Sequence, residues 1–147
     1  AEKIDAMKNF KVTRVSVNPQ TMQQKTLDRI GRQHSVEQVI TAFNEIRNSA
    51  DFKINMDLIL GLPGENVSDI KDSLEKILNL NPDDVTLHAL ALKRGSQLQT
   101  QLADEVQSLE DFDLPSDEEV IKMSEIAEKI LREKLFVGFH GEIICRT

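Results

Sequence analysis

Asp57 is a carboxylate set inside an apolar run, INMDLILGLPGE (Ile54 to Glu65). A carboxylate in a strand that reads as buried needs water, a ligand or a pairing side chain, because an unpaired buried polar group is costly. Gln20 ends an earlier polar-apolar alternation, RVSVNPQ, and Arg32 follows it by twelve residues. His88 sits in a third such stretch, DVTLHALAL, followed by Lys93 and Arg94. Those two cations either meet the carboxylates of a substrate or belong to a solvated loop. Metal chemistry is not indicated: His34, His88 and His140 are far apart, and Cys145 is the one cysteine. Gly61-Leu62-Pro63-Gly64 lacks the glycine spacing and Lys-Ser/Thr ending of a phosphate loop.

Elements must position these groups. Ile4 and Met7 mark the tail of a helix over residues 1–10, and the alternation from Arg14 to Gln20 marks a strand. A short helical piece runs through Leu27 and Ile30. Ser35 with Gln38 forms a capping box for a helix whose apolar face is Val36, Val39, Ile40, Phe43 and Ile46. The Asp57 stretch is the second strand. Asn66 or Ser68 caps the next helix, with Ile70, Leu74, Ile77 and Leu78 on its apolar face, and Pro82 ends it. Asp84 to Leu92 is the third strand, with Asp83 and Asp84 as turn residues at its start. Leu98, Leu102 and Val106 mark a further helix. Ser116 with Glu119 caps a last one, lined by Val120, Met123, Ala127 and Ile130 to about Lys134, and LFVGF reads as a final strand.

Strand alternating with helix implies a parallel α/β sheet with right-handed crossovers. Side chains alternate faces along each strand. Ser16, Asn18 and Gln20 therefore share one row, Asn55, Asp57 and Ile59 a second, and Thr86, His88, Leu90 and Leu92 a third. The opposite rows are apolar and meet the helices. Polar rows on three neighbouring strands need water, a ligand or mutual pairing, because a buried unpaired polar group costs about 1–3 kcal/mol. In a curved sheet they line the interior, with ligands at the C-terminal strand ends. Asp57 either faces such a ligand or pairs with Asn18, Arg14 or Arg32.

Composition limits the rest. The 147 residues suit a single domain, with βα units over about 12–109 and a C-terminal helix over about 116–134. A net charge of −7 argues against nucleic acid as a partner. The acidic run Glu110 to Glu119 reads as a solvated connector. No run reaches the ~20 apolar residues of a membrane span, and no signal peptide is visible. One cysteine rules out an internal disulfide framework, so a cytoplasmic setting is expected.

The wording of the motifs adds a resemblance. RVSVNPQTMQQKTLDRIGRQHS followed by INMDLILGLPGE, and then NPDDVTLHALALKRGSQL, resembles the radical S-adenosylmethionine enzymes of the oxygen-independent coproporphyrinogen III oxidase (dehydrogenase) group. The resemblance runs from about Arg14 to Leu98. It implies a partial, half TIM-like β/α barrel of parallel strands and crossover helices. It also implies S-adenosylmethionine as cofactor, with Gln20 on its amino-acid or ribose part, Arg32 on its carboxylate and Asp57 on its ribose hydroxyls. His88 and Ala91 would run beside the adenosine, and Lys93 and Arg94 would meet porphyrinogen propionates.

The sequence also departs from that family. The Cys-x-x-x-Cys-x-x-Cys that holds the family's iron–sulfur cluster is absent, as are the first three βα units, and FVGFHGEIICRT does not resemble the family's continuation. No catalytic residue is assigned to this chain. The cluster and the preceding barrel half are expected in a full-length parent. There a 5′-deoxyadenosyl radical would take hydrogen from a propionate, and carbon dioxide would leave. A heme-binding or heme-delivery relative is the alternative. Exposed sheet edges lead us to expect self-association.

Overall fold

The computed structural model describes residues 2–90, 113–134, 136–140 and 143–146, the last two segments as backbone only. It begins with helix α1 (Glu2–Asn9), strand β1 (Arg14–Gln20), helix α2 (Gln24–Arg29), helix α3 (Val36–Ser49) and strand β2 (Lys53–Leu60). Helix α4 (Val67–Leu80), strand β3 (Asp84–Ala89) and helix α5 (Asp117–Glu133) follow, then strands β4 (Phe136–His140) and β5 (Ile143–Arg146). One sheet holds all five strands in the order β1-β2-β3-β5-β4.

The expected capping boxes start the long helices. Ser35 accepts from the Gln38 N–H while Gln38 reaches back, and Ser116 and Glu119 do the same for α5. Asn66, rather than Ser68, caps α4, in a reciprocal pair with Asp69. That helix ends at Asn81, whose φ of 60° is left-handed, a common way to stop a helix before a proline.

β1, β2 and β3 are parallel neighbours. Ile54, Met56, Leu58 and Leu60 of β2 are fully buried, and so is Val85 of β3. They form one core with Val36, Val39 and Phe43 of α3, Ile70, Leu74 and Ile77 of α4, and Met123, Ala127 and Leu131 of α5. The apolar rows therefore do meet the helices. Val15 and Val17 are only half-buried, because β1 is an edge.

The final strand expected at LFVGF exists, but it does not extend the parallel series. β5 lies antiparallel beside β3, and β4 lies antiparallel beside β5. Only residues 141–142 separate the two strands, and a parallel crossover needs roughly a dozen or more. The helix expected around Leu98 lies outside the described residues.

The N-terminal strand ends are pinned by Arg47 of α3. Its guanidinium donates to Phe52 O at 3.1 Å, Asn81 O at 3.2 Å and Asp83 Oδ2 at 2.8 Å, and stacks 5.4 Å from the Phe43 ring centre. Asp83 also accepts the Ile54 N–H at 2.8 Å. Burial pushes the Asp83 carboxyl up, but that N–H and the guanidinium outweigh it and hold it below the usual aspartate range. Asp83 is thus an interelement tie rather than a plain turn residue.

Candidate functional site

The inner face of the three parallel strands carries a connected polar network. Asn55 is buried at 4% exposure in the middle of it. Its Nδ2 donates to Asp57 Oδ1 at 2.5 Å and to Ser16 Oγ at 3.4 Å. Its Oδ1 accepts from the buried Thr86 hydroxyl at 3.0 Å. Asp57 is therefore held by its own strand, two residues back, and not by Asn18, Arg14 or Arg32. Arg14 instead reaches Asp84 at 2.9 Å, which makes Asp84 a buried, paired member of the interior rather than a turn residue. Ser16 and Asn18 remain exposed, so the interior is open on the β1 side.

Asp57 stands beside Thr86 in register, and His88 beside Ile59, so both lie toward the C-terminal half of the sheet. His88 is half-buried. Ala91, Lys93 and Arg94 lie outside the described residues.

Gln20 does not continue the row of Ser16 and Asn18. The register slips between Val17 and Gln20, so Gln20 stands opposite Leu58 of the outward row. Its φ of 71° is left-handed, which is uncommon for a residue with a side chain. Strain of this kind collects where a chain is held in an enforced turn near a site. Here it ends β1 and swings Thr21 toward the turn after β2. Arg32 is exposed in the loop between α2 and α3. The His34 ring, two residues on, lies 3.4 Å from Pro19 O, which keeps that loop at the C-terminal end of β1.

The turn after β2 needs its glycines. Gly61 has φ 89°, and a Cβ there would lie 2.9 Å from Val120 of α5. Gly64, with φ 74°, donates its N–H to Asp113 O at 2.8 Å. Arg29 reaches the Asp113 carboxylate at 3.5 Å, so three segments meet over this end of the sheet.

Immediately after that turn lies a group that sequence reasoning missed. Glu65 is 4% exposed, and its Oε1 accepts from the Thr21 hydroxyl at 2.5 Å. Its Oε2 and the buried Thr26 hydroxyl have no hydrogen-bond partner among the described residues. Burial pushes the Glu65 carboxyl up, only partly opposed by the neighbouring Thr21 and Thr26 hydroxyls. The available signal was a carboxylate directly after a glycine turn, facing two threonines that bracket the start of α2.

S-adenosylmethionine presents a ribose diol, an adenine and a carboxylate. Asp57 fits the diol: it is half-buried on the inner face, one oxygen is anchored, and no described residue bonds the other. Arg32 has the chemistry for the carboxylate. A cluster of three thiolates does not fit this chain, which has one cysteine. Among the described residues, no group of three or more His, Cys, Asp or Glu is placed to hold a metal ion. No described helix is long and apolar enough to cross a membrane.

Comparison with known proteins gives a consistent picture. The profile of the Radical SAM superfamily matches residues 1–77. The oxygen-independent coproporphyrinogen-III oxidase-like protein HemZ of Bacillus subtilis is 34% identical over 139 residues, 95% of this chain and 26% of that protein. The mitochondrial radical S-adenosyl methionine domain-containing protein 1 of Danio rerio is 32% identical over 88% of this chain and 27% of its own length. The heme chaperone HemW of Bacillus subtilis is 31% identical over 63% of this chain and 24% of its own. Among solved structures, coproporphyrinogen III oxidase (HemN) from Escherichia coli superposes with a TM-score of 0.83 at 21% identity, over 99% of this chain and 32% of that one. The chain thus spans about a quarter to a third of the proteins it matches, and the last likeness shows the barrel-type fold.

Proposed function

Because the chain belongs to the radical SAM superfamily, we propose that it forms the S-adenosylmethionine-gripping half of the barrel in an oxidoreductase of the oxygen-independent coproporphyrinogen III oxidase type. The observation that carries this reading is Asp57: a carboxylate on the inner face of a parallel sheet, anchored through one oxygen, with no described residue bonded to the other. In this reading Asp57 accepts from the ribose hydroxyls and Arg32 pairs with the methionine carboxylate. Gln20, at the strained C-terminal end of β1, would hydrogen-bond the amino-acid or ribose part by turning in from the outward row, and His88 and Ala91 border the adenosine. Lys93 and Arg94 receive the propionates of the porphyrinogen. With a cluster in the preceding barrel half, the cofactor would supply the radical that takes a hydrogen atom from a propionate, and carbon dioxide would leave as the remaining electron passes to an external one-electron acceptor. This chain's own residues bind and orient, and heme biosynthesis in the cytoplasm is the setting proposed.

A non-catalytic heme-delivery role is the second reading, favoured by the likeness to the heme chaperone. The test uses the intact protein that contains this chain, with its cluster rebuilt anaerobically. Carbon dioxide release from coproporphyrinogen III, abolished in Asp57→Ala, supports the oxidase. Tight heme binding with no decarboxylation refutes it in favour of delivery. Loss of one hydrogen bond to a carboxylate, worth about 1.5–3 kcal/mol, should weaken S-adenosylmethionine binding by roughly 10–150-fold.

A further inference from the structure

We infer that Asn55 and Thr86 are positioning residues that fix the orientation of Asp57 before its ligand arrives. The inference rests on the reading of Asp57 as the ribose-binding carboxylate.

An asparagine amide has a donor end and an acceptor end of nearly the same shape, so its partners decide which way it points. An ionised Asp57 can only accept, and Oδ1 lies 2.5 Å from Asn55 Nδ2. The Asn55 oxygen must then face away, where the Thr86 hydroxyl donates to it at 3.0 Å. Ser16 Oγ, at 3.4 Å from the same Nδ2, is placed for the second amide hydrogen. Three strands thus agree on one orientation of one side chain.

The register makes the arrangement pointed. Thr86 is the direct cross-strand neighbour of Asp57, yet its hydroxyl bonds Asn55. A Thr86–Asp57 bond would occupy an acceptor position that a ligand needs. The bond to Asn55 spares it and still transmits the constraint. Asn55 is two residues nearer the N-terminal end of β2, so the carboxylate is anchored from the side away from the strand's C-terminal end. Its other oxygen, which no described residue bonds, is left for a hydroxyl. A carboxylate already held in its binding rotamer loses less freedom when the ligand docks.

Buried amides are usually hydrogen-bonded, so a purely structural role predicts the same contacts. The two roles differ in what the variants lose. Binding of S-adenosylhomocysteine and of its analogue lacking both ribose hydroxyls would be measured by calorimetry on the intact, cluster-loaded protein. Four proteins are compared: wild type, Asn55→Leu, Thr86→Val and Asp57→Ala. Leu and Val match the shapes they replace, and Thr86→Val keeps the test available where Asn55→Leu fails to fold.

Wild type should prefer the diol ligand. Asn55→Leu should lose about tenfold of that preference and Thr86→Val about threefold, with binding of the analogue unchanged. Adding Asn55→Leu to Asp57→Ala should cost no further diol preference, since coupled residues are not additive. Equal weakening of both ligands, or an unchanged preference, overturns the positioning role while leaving Asp57 as ribose ligand. Absence of diol preference in wild type overturns the reading beneath it.

Discussion

Replacing Glu65 with glutamine should stabilise the chain at alkaline pH and do little in acid. In the native state Oε1 accepts from Thr21, while among the described residues Oε2 and the adjacent Thr26 hydroxyl make no well-formed hydrogen bond. Burial raises the Glu65 carboxyl above its ordinary range, with the Asp69 charge pushing the same way and Lys25 opposing it. Lys25 and Asp69 are themselves paired at 2.8 Å, so their fields on Glu65 largely offset. The folded protein therefore keeps a proton on Glu65 at pH values where the unfolded chain has lost it. Where the native state binds more protons, stability falls as pH rises. This group's contribution is complete below the ordinary glutamate range and is lost as pH climbs through the raised value.

Glutamine carries no charge to desolvate. Its oxygen can take the Thr21 hydrogen, and its amide can donate to the Thr26 hydroxyl oxygen. An unsatisfied buried polar group costs about 1–3 kcal/mol, and protonation already relieves part of that in wild type. A net gain of about 1 kcal/mol at pH 8 follows, equivalent to roughly 2–4 °C in Tm for a chain of this size. Below the ordinary glutamate range the two proteins should agree within roughly 0.5 kcal/mol. Urea melts at several pH values, followed by far-UV circular dichroism, would measure this, since Trp and Tyr fluorescence are absent. A pH-independent difference, or destabilisation of Glu65→Gln at pH 8, would refute the argument.

Asp83→Ala should cost about 1.5–2 kcal/mol at neutral pH, because it strands the Ile54 N–H and one end of Arg47 at a part-exposed site. The Asp83 carboxyl is held low when folded, so that loss should fade as pH drops through its lowered value. Gly61→Ala should destabilise by about 1–2 kcal/mol, since it forces a left-handed residue and brings Cβ within 2.9 Å of Val120; an unchanged urea midpoint would count against it. Light scattering at rising concentration should show self-association through exposed sheet edges.

Most of the frame was legible because local chemistry writes it directly. Ser35 with Gln38 and Ser116 with Glu119 fix two helix starts, and the apolar rows of β2 and β3 fix the face the helices cover. The placement of Asp57 on the inner face followed from simple alternation. Three things did not follow. The slip between Val17 and Gln20 broke the alternation, and a bulge leaves no mark in a periodicity of two. The antiparallel course of β4 and β5 depended on the brevity of their link rather than on either strand's pattern. The partners of Asp57, Asp84 and Glu65 are set by which side chains meet across elements, and spacing along the chain is silent about that.

The hairpin beside β3 also decides how copies of this chain would join. It leaves the sheet with two unlike borders, β1 and β4. Two copies meeting β1 to β1 about a twofold axis would bury both like borders and stop at a pair. A β1-to-β4 contact would be head to tail, leaving one free border of each kind, and would add copies without end. Were copies to join through their borders, the one covered first would separate a closed dimer from an open filament. A preceding strand seated on β1 would take that border out of both contacts.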